Sequence, residues 1–198
     1  MEQFLRPTPV LDSNHPEVVT LARTLAQGSD DVAEIARRSF EWVRDEIRHS
    51  GDFDLAAVTC SASDVLRERS GFCYAKSHLL AALLRANSIP AGLCYQRLSI
   101  DDEGTAFCLH GLNAVHLPDV GWYRVDPRGN RDSIDAQFDP PFERLAFQPS
   151  SPGEYDMRGI LADPLPVVIE ALKAHTDARR LACALPDLAP TAGARSIE

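Results

Sequence analysis

The stretch GFCYAKSHLLAALLRANSIPA occupies residues 71–91. It is dense in Ala and Leu, which are strong helix formers, so the sequence predicts a helix from about Cys73 to Ala86. Pro90 cannot continue a helix and biases Ile89 toward an extended backbone, so the helix ends before this pair. A cysteine therefore stands at the first position of the clearest helix in the chain.

Three further helices are predicted on the N-terminal side of this stretch. Residues 15–27 hold apolar side chains at helical spacing. Residues 29–30 can cap a second helix that runs to about Glu46, and Ser61 or Ser63 begins a short third helix. The first part of the chain is therefore expected to be helical.

The periodicity changes to that of strands after Pro90. Three strands are predicted, at residues 91–98, 107–117 and 121–125. The short turn at 118–119 suits an antiparallel pair. After Pro127 the chain is expected to be irregular until a last helix at about 166–181. Helices first and strands later indicate a segregated α+β domain.

The length and composition suit one globular domain, because the chain has 198 residues and 44% of them are hydrophobic. We expect this domain to cover residues 1–185, with its core at about 30–130 and a disordered tail at 186–198. No apolar run approaches the roughly 18 residues of a membrane span, and the N-terminus lacks the pattern of a secretory signal. We therefore expect a cytoplasmic protein that does not bind membranes.

The charge balance argues against one class of partner. The chain has 20 Lys and Arg residues against 29 Asp and Glu residues, which gives a formal net charge of −9. A diffuse negative field repels phosphate backbones, and the sequence shows no strong basic cluster. We therefore expect no nucleic-acid partner.

The five cysteines are an odd number without a CxxC pair, so in a reducing compartment we expect free thiols. Most cytosolic cysteines are small buried apolar residues. Cys73 differs because it begins a helix, where unpaired amide N–H groups and the helix dipole stabilise a negative charge. A thiolate there is a better nucleophile, so Cys73 is the candidate nucleophile.

A thiol nucleophile also needs a base and a group that orients the base. His110 lies in the middle of the predicted strand 107–117, and Asp126 closes the next strand. Pairing across the short turn can make their side chains near neighbours beside Cys73. His116 shares a strand face with His110 and is an alternative base. Taken alone, a strand histidine or a turn aspartate is more often structural, so the prediction rests on the set.

The stretch at 71–91, together with LHGLNAVHLPDVGWYRVDPRG at 109–129, resembles the core of the transglutaminase-like superfamily, which shares a papain-like fold. The family pattern has a cysteine that opens an Ala- and Leu-rich helix ending at Ile-Pro, then a strand histidine, a Gly-Trp and an Asp-Pro. The resemblance covers about residues 30–130. It implies N-terminal helices and a catalytic cysteine at a helix N-terminus, packed on an antiparallel sheet.

The resemblance also implies roles for three residues. Cys73 corresponds to the nucleophile, His110 to the general base and acid, and Asp126 to the carboxylate that orients the histidine. His116 falls where the family carries an ordinary strand residue, so His110 is the favoured base.

Two neighbours of these residues depart from the family pattern. His110 is followed by residues 111–112, Gly-Leu, where the family usually has Ala-Trp, and Arg128 stands where Asp-Pro is usually followed by Thr. These positions border the cleft, so they bear on the substrate more than on the chemistry. The polar loop 128–131 is either a solvated turn or a site for a substrate carboxylate.

The implied reaction is acyl transfer, in which Cys73 attacks an amide carbonyl and a thioester forms as the amine leaves. Water as the second nucleophile gives a protease or amidase, and an amine gives a transglutaminase. The compact chain shows none of the extra β domains of animal cross-linking transglutaminases, so hydrolysis of a peptide, protein or small amide substrate is the main hypothesis. The alternative from another class is a non-catalytic domain that binds a peptide or protein in the same cleft.

We expect no cofactor and no metal. The acidic residues 101–103 are too few for an EF-hand loop, so no calcium site is predicted. Cys108 and His110 with Cys73 or Cys94 have ligand-type side chains, but they lack the paired spacing of a zinc site.

Overall fold

The helices lie mostly in the first part of the chain, as the sequence predicts. The computed structural model describes residues 1–101 and 103–189. Within these described residues, a short 3-10 helix (Glu2–Phe4) is followed by six α-helices: α1 (Pro16–Ala26), α2 (Val32–Glu46), α3 (Ala62–Glu68), α4 (Cys73–Ala86), α5 (Pro166–Ala174) and α6 (Ala178–Ala182). The prediction for α4 is confirmed at both ends. None of the described helices is both long and apolar enough to cross a membrane.

Side-chain caps fix the starts of α2 and α3. Asp31 caps α2 by accepting a hydrogen bond from the Ala33 N–H at 2.9 Å, whereas the sequence suggested residues 29–30. Ser61 caps α3 in a capping box with Asp64, each side chain accepting from the other's backbone N–H. A cap satisfies amide groups that the helix itself leaves unpaired, so these two residues set the helix boundaries.

The described residues also form eight strands: β1 (Arg48–His49), β2 (Ser70–Gly71), β3 (Ala91–Ser99), β4 (Phe107–Leu117), β5 (Gly121–Val125), β6 (Gln137–Asp139), β7 (Phe142–Arg144) and β8 (Tyr155–Asp156). The main sheet is antiparallel and has the order β5-β4-β3-β8. In its register Gln96 faces His110, and Asn113 faces Val125. The three predicted strands are confirmed, and β3 extends one residue further, to Ser99.

Strands β1 and β2 form a separate parallel pair that the sequence did not predict. In this pair His49 faces Gly71, and the Ser50 N–H donates to the Gly71 carbonyl at 3.1 Å. The pair ties the segment after α2 to the two residues that lead into α4. It therefore brings His49 next to the start of that helix.

Helix α4 is the centre of the core. Its side chains from Cys73 to Arg85 are buried between α1, α2 and α3 on one side and β3 and β4 on the other. Lys76 Nζ donates to the carbonyl oxygens of Arg44 and Ile47, and Arg85 donates to three other backbone carbonyls. These bonds provide acceptors for the two buried basic side chains and tie α4 to its surroundings. Helices packed on an antiparallel sheet confirm the α+β fold class.

The segment after Pro127 differs from the prediction of an irregular chain. Strands β6 and β7 pair with each other, and β8 adds to the edge of the main sheet beside β3. The single helix expected at 166–181 is two helices, because His175 has an extended backbone at φ −117° and ψ 136°. Asp177 then caps α6 by accepting from the Arg179 N–H at 2.8 Å.

The packed part of the chain continues into the predicted tail. The Leu109 N–H donates to the Pro186 carbonyl at 2.7 Å. The Arg97 guanidinium makes two hydrogen bonds of 2.7 Å with the Asp187 carboxylate. The expected tail therefore begins packed against the sheet, and its residues 190–198 lie outside the described residues.

Candidate active site

Cys73 is the first residue of α4, and it borders a cleft. Phe72, the residue before the helix, gives no side-chain cap, so the amide N–H groups of the first turn have no side-chain acceptor from it. These groups and the dipole of the 14-residue helix favour a negative charge at the sulfur. The structure thus places the predicted nucleophile at the N-terminal end of a helix, beside a cleft.

Gly71 precedes α4 at a point where the backbone packs closely against Thr59 and Ala75, without room for a side chain. A Cβ atom at this position would lie 2.9 Å from Thr59 Oγ1 and 3.0 Å from Ala75 Cβ. The Thr59 hydroxyl donates to the Ser70 carbonyl at 2.9 Å, so it is held in place. A side chain at Gly71 would therefore displace the start of α4 and the thiol with it.

His110 and Asp126 form a buried hydrogen-bonded pair. His110 Nε2 lies 2.7 Å from Asp126 Oδ2, and both side chains are buried. The Asp126 carboxylate also accepts hydrogen bonds from the backbone N–H groups of Arg128 and Ala146, each at 3.1 Å. The carboxylate is therefore fixed, and its bond to Nε2 leaves Nδ1 as the ring nitrogen that can exchange a proton with a neighbour.

The two side chains of this pair shift each other's pKa. Burial lowers the pKa of His110, but the charges of Asp126 and Cys73 and the hydrogen bond to Asp126 outweigh burial and raise it to about 10. Burial acts to raise the pKa of Asp126, but the charge and hydrogen bond of His110 and two backbone N–H groups hold it below its usual value. At neutral pH, His110 is therefore an imidazolium beside an ionised carboxylate.

Strand β4 lies directly against the first turn of α4. The Tyr74 hydroxyl donates to the Leu109 carbonyl. A Cβ atom at Gly111 would lie 3.0 Å from Tyr74 Cδ1 and 3.1 Å from Tyr74 Cα, so a residue without a side chain is needed for this approach. The approach brings His110 beside Cys73, whose charge contributes to the raised pKa of the histidine.

A loop from the second half of the chain covers the pair. The Phe147 ring packs edge-on against His110, with 4.9 Å between ring centroids. The Phe147 carbonyl accepts from Gln96 Nε2 at 3.4 Å, and the preceding Ala146 N–H is bonded to Asp126. The loop therefore excludes water from one side of the His110–Asp126 pair.

A cleft of about 410 Å³ opens at Cys73 and His110. Part of its wall is apolar or aromatic: Phe72, Leu98, Ile100, Leu109, Phe147 and Leu185. Uncharged polar side chains also line it: Ser99, Gln148, Ser150 and Ser151. Apolar walls with a few polar groups are typical of sites that bind organic ligands.

The alternative base His116 lies away from the thiol. It is six residues from His110 along β4, which is about 20 Å at the spacing of a strand. Its ring packs edge-on against Trp122 with 5.4 Å between centroids. The structure brings His110 to Cys73 and leaves His116 at the other end of the strand.

The loop 128–131 does not present a free cation to the cleft. Arg128 lines the cleft, but its guanidinium makes two hydrogen bonds with the Asp52 carboxylate, at 2.7 and 2.9 Å. Arg131 adds a third contact to Asp52 at 3.2 Å. Of the two alternatives for this loop, these ion pairs argue against a site for a substrate carboxylate.

The other thiols near the sheet differ from Cys73 in their surroundings. Cys108 also lines the cleft, and Cys94 is buried in the sheet. Burial raises the pKa of each of these two thiols to about 12, so both are protonated at neutral pH. Within residues 1–101 and 103–189, no group of three or more His, Cys, Asp and Glu side chains is arranged to hold a metal ion.

Two residues at the site are missing from the sequence prediction. His49 lines the cleft, and it reaches this place through the β1–β2 pair. Phe147 reaches His110 from a segment that the sequence indicated only as irregular. Neither residue belongs to a local motif, because contacts between distant parts of the chain bring them to the site.

A family profile matches the part of the chain that builds the site. The profile described as the transglutaminase-like superfamily covers residues 19–127, which is more than half of the chain. The chain belongs to this superfamily. No curated protein matches the chain.

Solved structures share the fold. A candidate cysteine protease from Cytophaga hutchinsonii aligns with a TM-score of 0.50 and 25% identity, over 63% of this chain and 40% of that chain. The periplasmic domain of TgpA from Pseudomonas aeruginosa aligns with a TM-score of 0.48 and 23% identity, over 63% of this chain and 45% of that chain. This chain therefore spans less than half the length of either structure. Superfamily membership and the likeness to the first structure support a cysteine-dependent activity in general.

Proposed function

We propose that this protein catalyses acyl transfer from amide substrates through a thioester on Cys73, with water as the acyl acceptor. The observation that carries the proposal is the 2.7 Å contact between His110 Nε2 and Asp126 Oδ2, beside the thiol that begins α4. This arrangement supplies a nucleophile and a proton donor in one cleft. Cys73 is the proposed nucleophile, His110 the general acid and base, and Asp126 the positioning residue.

The first half of the reaction forms the thioester. The Cys73 thiolate attacks the carbonyl carbon, and the carbonyl oxygen becomes the oxyanion of a tetrahedral intermediate. The Cys73 backbone N–H at the start of α4 is one donor for this oxyanion. When the intermediate collapses, the C–N bond breaks, and the His110 imidazolium gives its proton to the leaving amine.

The second half of the reaction regenerates the thiol. Neutral His110 takes a proton from water as the water oxygen attacks the thioester carbonyl. The C–S bond then breaks, the acid leaves, and Cys73 and His110 return to the thiolate and imidazolium forms. Asp126 stays ionised throughout, and its role is to hold Nε2 so that Nδ1 faces the reacting atoms.

The cleft supports a peptide, protein or small amide as the substrate. Besides His110, the charged residues of its wall are Arg128, which is paired with Asp52, and Glu154, which accepts hydrogen bonds from three backbone N–H groups. The remaining apolar and uncharged polar walls can hold an extended segment with neutral side chains. The similar structure from Cytophaga hutchinsonii is named as a candidate cysteine protease, which supports water as the second nucleophile. An amine in place of water would give transamidation by the same residues.

The activated thiol is tested by the rate of alkylation. At neutral pH, we expect iodoacetamide to label Cys73 faster than the exposed Cys183, because a thiolate is the reacting form. The His110→Ala variant should slow labelling of Cys73 and leave Cys183 unchanged. Mass spectrometry of the digested protein measures each site separately. Equal rates at both thiols, unchanged in the variant, would contradict the proposal.

The reaction itself is tested by its products. A library of peptides and amides is incubated with the wild type and with the Cys73→Ala variant, in water alone and with an added primary amine. We expect the wild type to release free acid and amine, and to form a hydroxamate when hydroxylamine is added to capture the acyl group. The variant should form none of these products. Products joined to the added amine would indicate a transglutaminase. Ligand binding that survives Cys73→Ala, without any thioester, would indicate a non-catalytic binding domain.

A further inference from the structure

His49 lies beside the nucleophile without a role in the mechanism above. In the β1–β2 pair it faces Gly71, two residues before Cys73. Its ring packs edge-on against Phe72, with 5.6 Å between ring centroids, and it lines the same cleft as Cys73. The ring is therefore held against the segment that carries the backbone donor of the oxyanion.

The two ring nitrogens of His49 have different surroundings. Nδ1 is buried and has no hydrogen-bond partner among the described residues. Its nearest acidic neighbour, Asp52 Oδ1, is 3.6 Å away, beyond hydrogen-bond distance, and that carboxylate is engaged by Arg128 and Arg131. Among the described residues Nε2 makes no hydrogen bond either, but it is not buried as Nδ1 is, so it is the ring nitrogen available to a group in the cleft that His49 lines.

The His49 ring is neutral when the proposed reaction runs. Burial and the charge of Arg128 together lower the pKa of His49 to about 3, against the opposing charge of Asp52. A neutral imidazole carries one proton, and the hydrogen bond of one nitrogen usually fixes which nitrogen holds it. Because Nδ1 makes no such bond, the proton is free to occupy Nε2 whenever an acceptor oxygen lies opposite.

We propose that His49 is a catalytic residue that donates its Nε2–H to the oxyanion, together with the Cys73 backbone N–H. This proposal rests on the proposed function, because an oxyanion forms only if Cys73 attacks a carbonyl. A neutral donor suits this place, since it stabilises the developing charge without pairing with the resting thiolate as a second cation would.

The test separates thioester formation from thiol reactivity. The probe for acyl transfer is p-nitrophenyl acetate, whose first turnover releases nitrophenolate as Cys73 is acetylated. The probe for the thiol is iodoacetamide, which alkylates sulfur without forming an oxyanion. Two variants are compared with the wild type: His49→Leu fills the space without a donor, and His49→Gln keeps a neutral N–H donor.

We expect acetylation to fall about 100-fold in His49→Leu and to return to within about 10-fold of the wild type in His49→Gln, the size of effect seen for other oxyanion donors. Alkylation of Cys73 should stay unchanged in both variants. Acetylation of His49→Leu at the wild-type rate would overturn the proposal. So would a parallel loss of alkylation, or a His49→Gln rate as slow as that of His49→Leu, because either result would assign the ring a packing role. If the wild type itself is never acetylated, the proposed function fails as well.

Discussion

At the scale of single residues, the hydrogen bond between His110 and Asp126 determines the orientation and the protonation of the histidine. Asp126 has no contact with the cleft, yet it accepts three hydrogen bonds and fixes which His110 nitrogen faces the thiol. Burial alone would make His110 neutral, and the carboxylate reverses that effect. The acid in the proposed reaction therefore depends on a residue that never touches the substrate.

Removing the Asp126 charge should lower the pKa of His110. In the wild type that pKa is raised from 6.5 to about 10, so the imidazolium stabilises the fold fully below 6.5 and this contribution is lost as the pH rises through about 10. In Asp126→Asn, the charge of Cys73 is the one that still opposes burial, so the imidazolium should lose its proton at a lower pH. Nuclear magnetic resonance titration of the His110 ring measures both values. An unchanged midpoint would show that Asp126 does not hold the proton on His110.

The sequence predicts the site residues that belong to local patterns and misses those that do not. Cys73 follows from a helix start, and His110 and Asp126 from two strands joined by a short turn, so their proximity is a matter of local geometry. His49 and Phe147 arrive through long-range contacts, for which no spacing in the chain gives a signal. The roles of the first three residues stay predictions until they are tested by substitution.

At the scale of elements, the contact between α4 and β4 controls the distance between thiol and histidine. The helix, from Cys73 to Ala86, is predicted at both ends because its composition and the following proline agree. The last predicted helix, at 166–181, is interrupted because the extended His175 and the Asp177 cap outweigh its apolar periodicity. Elements with strong local signals at both ends are thus the ones that the sequence places correctly.

A side chain at Gly111 should separate these two elements. In Gly111→Ala the new methyl group would lie 3.1 Å from Tyr74 Cα, so backbone must move, and we expect a loss of about 1 to 3 kcal/mol of stability. Alkylation of Cys73 should also slow, since His110 moves with β4. Urea unfolding and iodoacetamide labelling measure the two effects.

Gly51 offers a matched control for that substitution. A Cβ atom there would meet its nearest neighbour, a His49 ring atom, at an ordinary 3.5 Å, so Gly51→Ala should leave the stability close to that of the wild type. If Gly111→Ala were as stable and as reactive as Gly51→Ala, the close approach of β4 to α4 would not be needed.

At the scale of the whole molecule, the C-terminal segment joins the sheet to the cleft. Leu185 lines the cleft, and the next residues are fixed by the Leu109–Pro186 and Arg97–Asp187 bonds. The Arg97 side chain is only 9% exposed, and its Cζ atom lies 3.7 Å from the centroid of the Phe107 ring. The sequence predicts a disordered tail from residue 186, because no local pattern there indicates these long-range partners.

Breaking the Arg97–Asp187 pair should therefore destabilise the fold. Asp187→Ala leaves a largely buried guanidinium without its carboxylate, and we expect a loss of about 2 kcal/mol in urea unfolding. Arg179→Ala is the control, since its pair with Asp54 is exposed on both sides and should contribute nothing measurable. Equal stability of the two variants would mean that the C-terminal segment is not anchored by this ion pair.

The Leu109–Pro186 bond has a consequence for the solubility of the folded chain. Strand β5 pairs with β4 only from Asn113 to Leu117, so the Leu109 N–H lies on a stretch of β4 that β5 leaves open. Open strand edges are templates on which a second chain can add a strand and aggregate. The Pro186 carbonyl occupies this position, and proline has no N–H with which to continue a ladder. The segment therefore covers part of the open edge of β4, and we expect it to hinder strand addition by a second chain at this position.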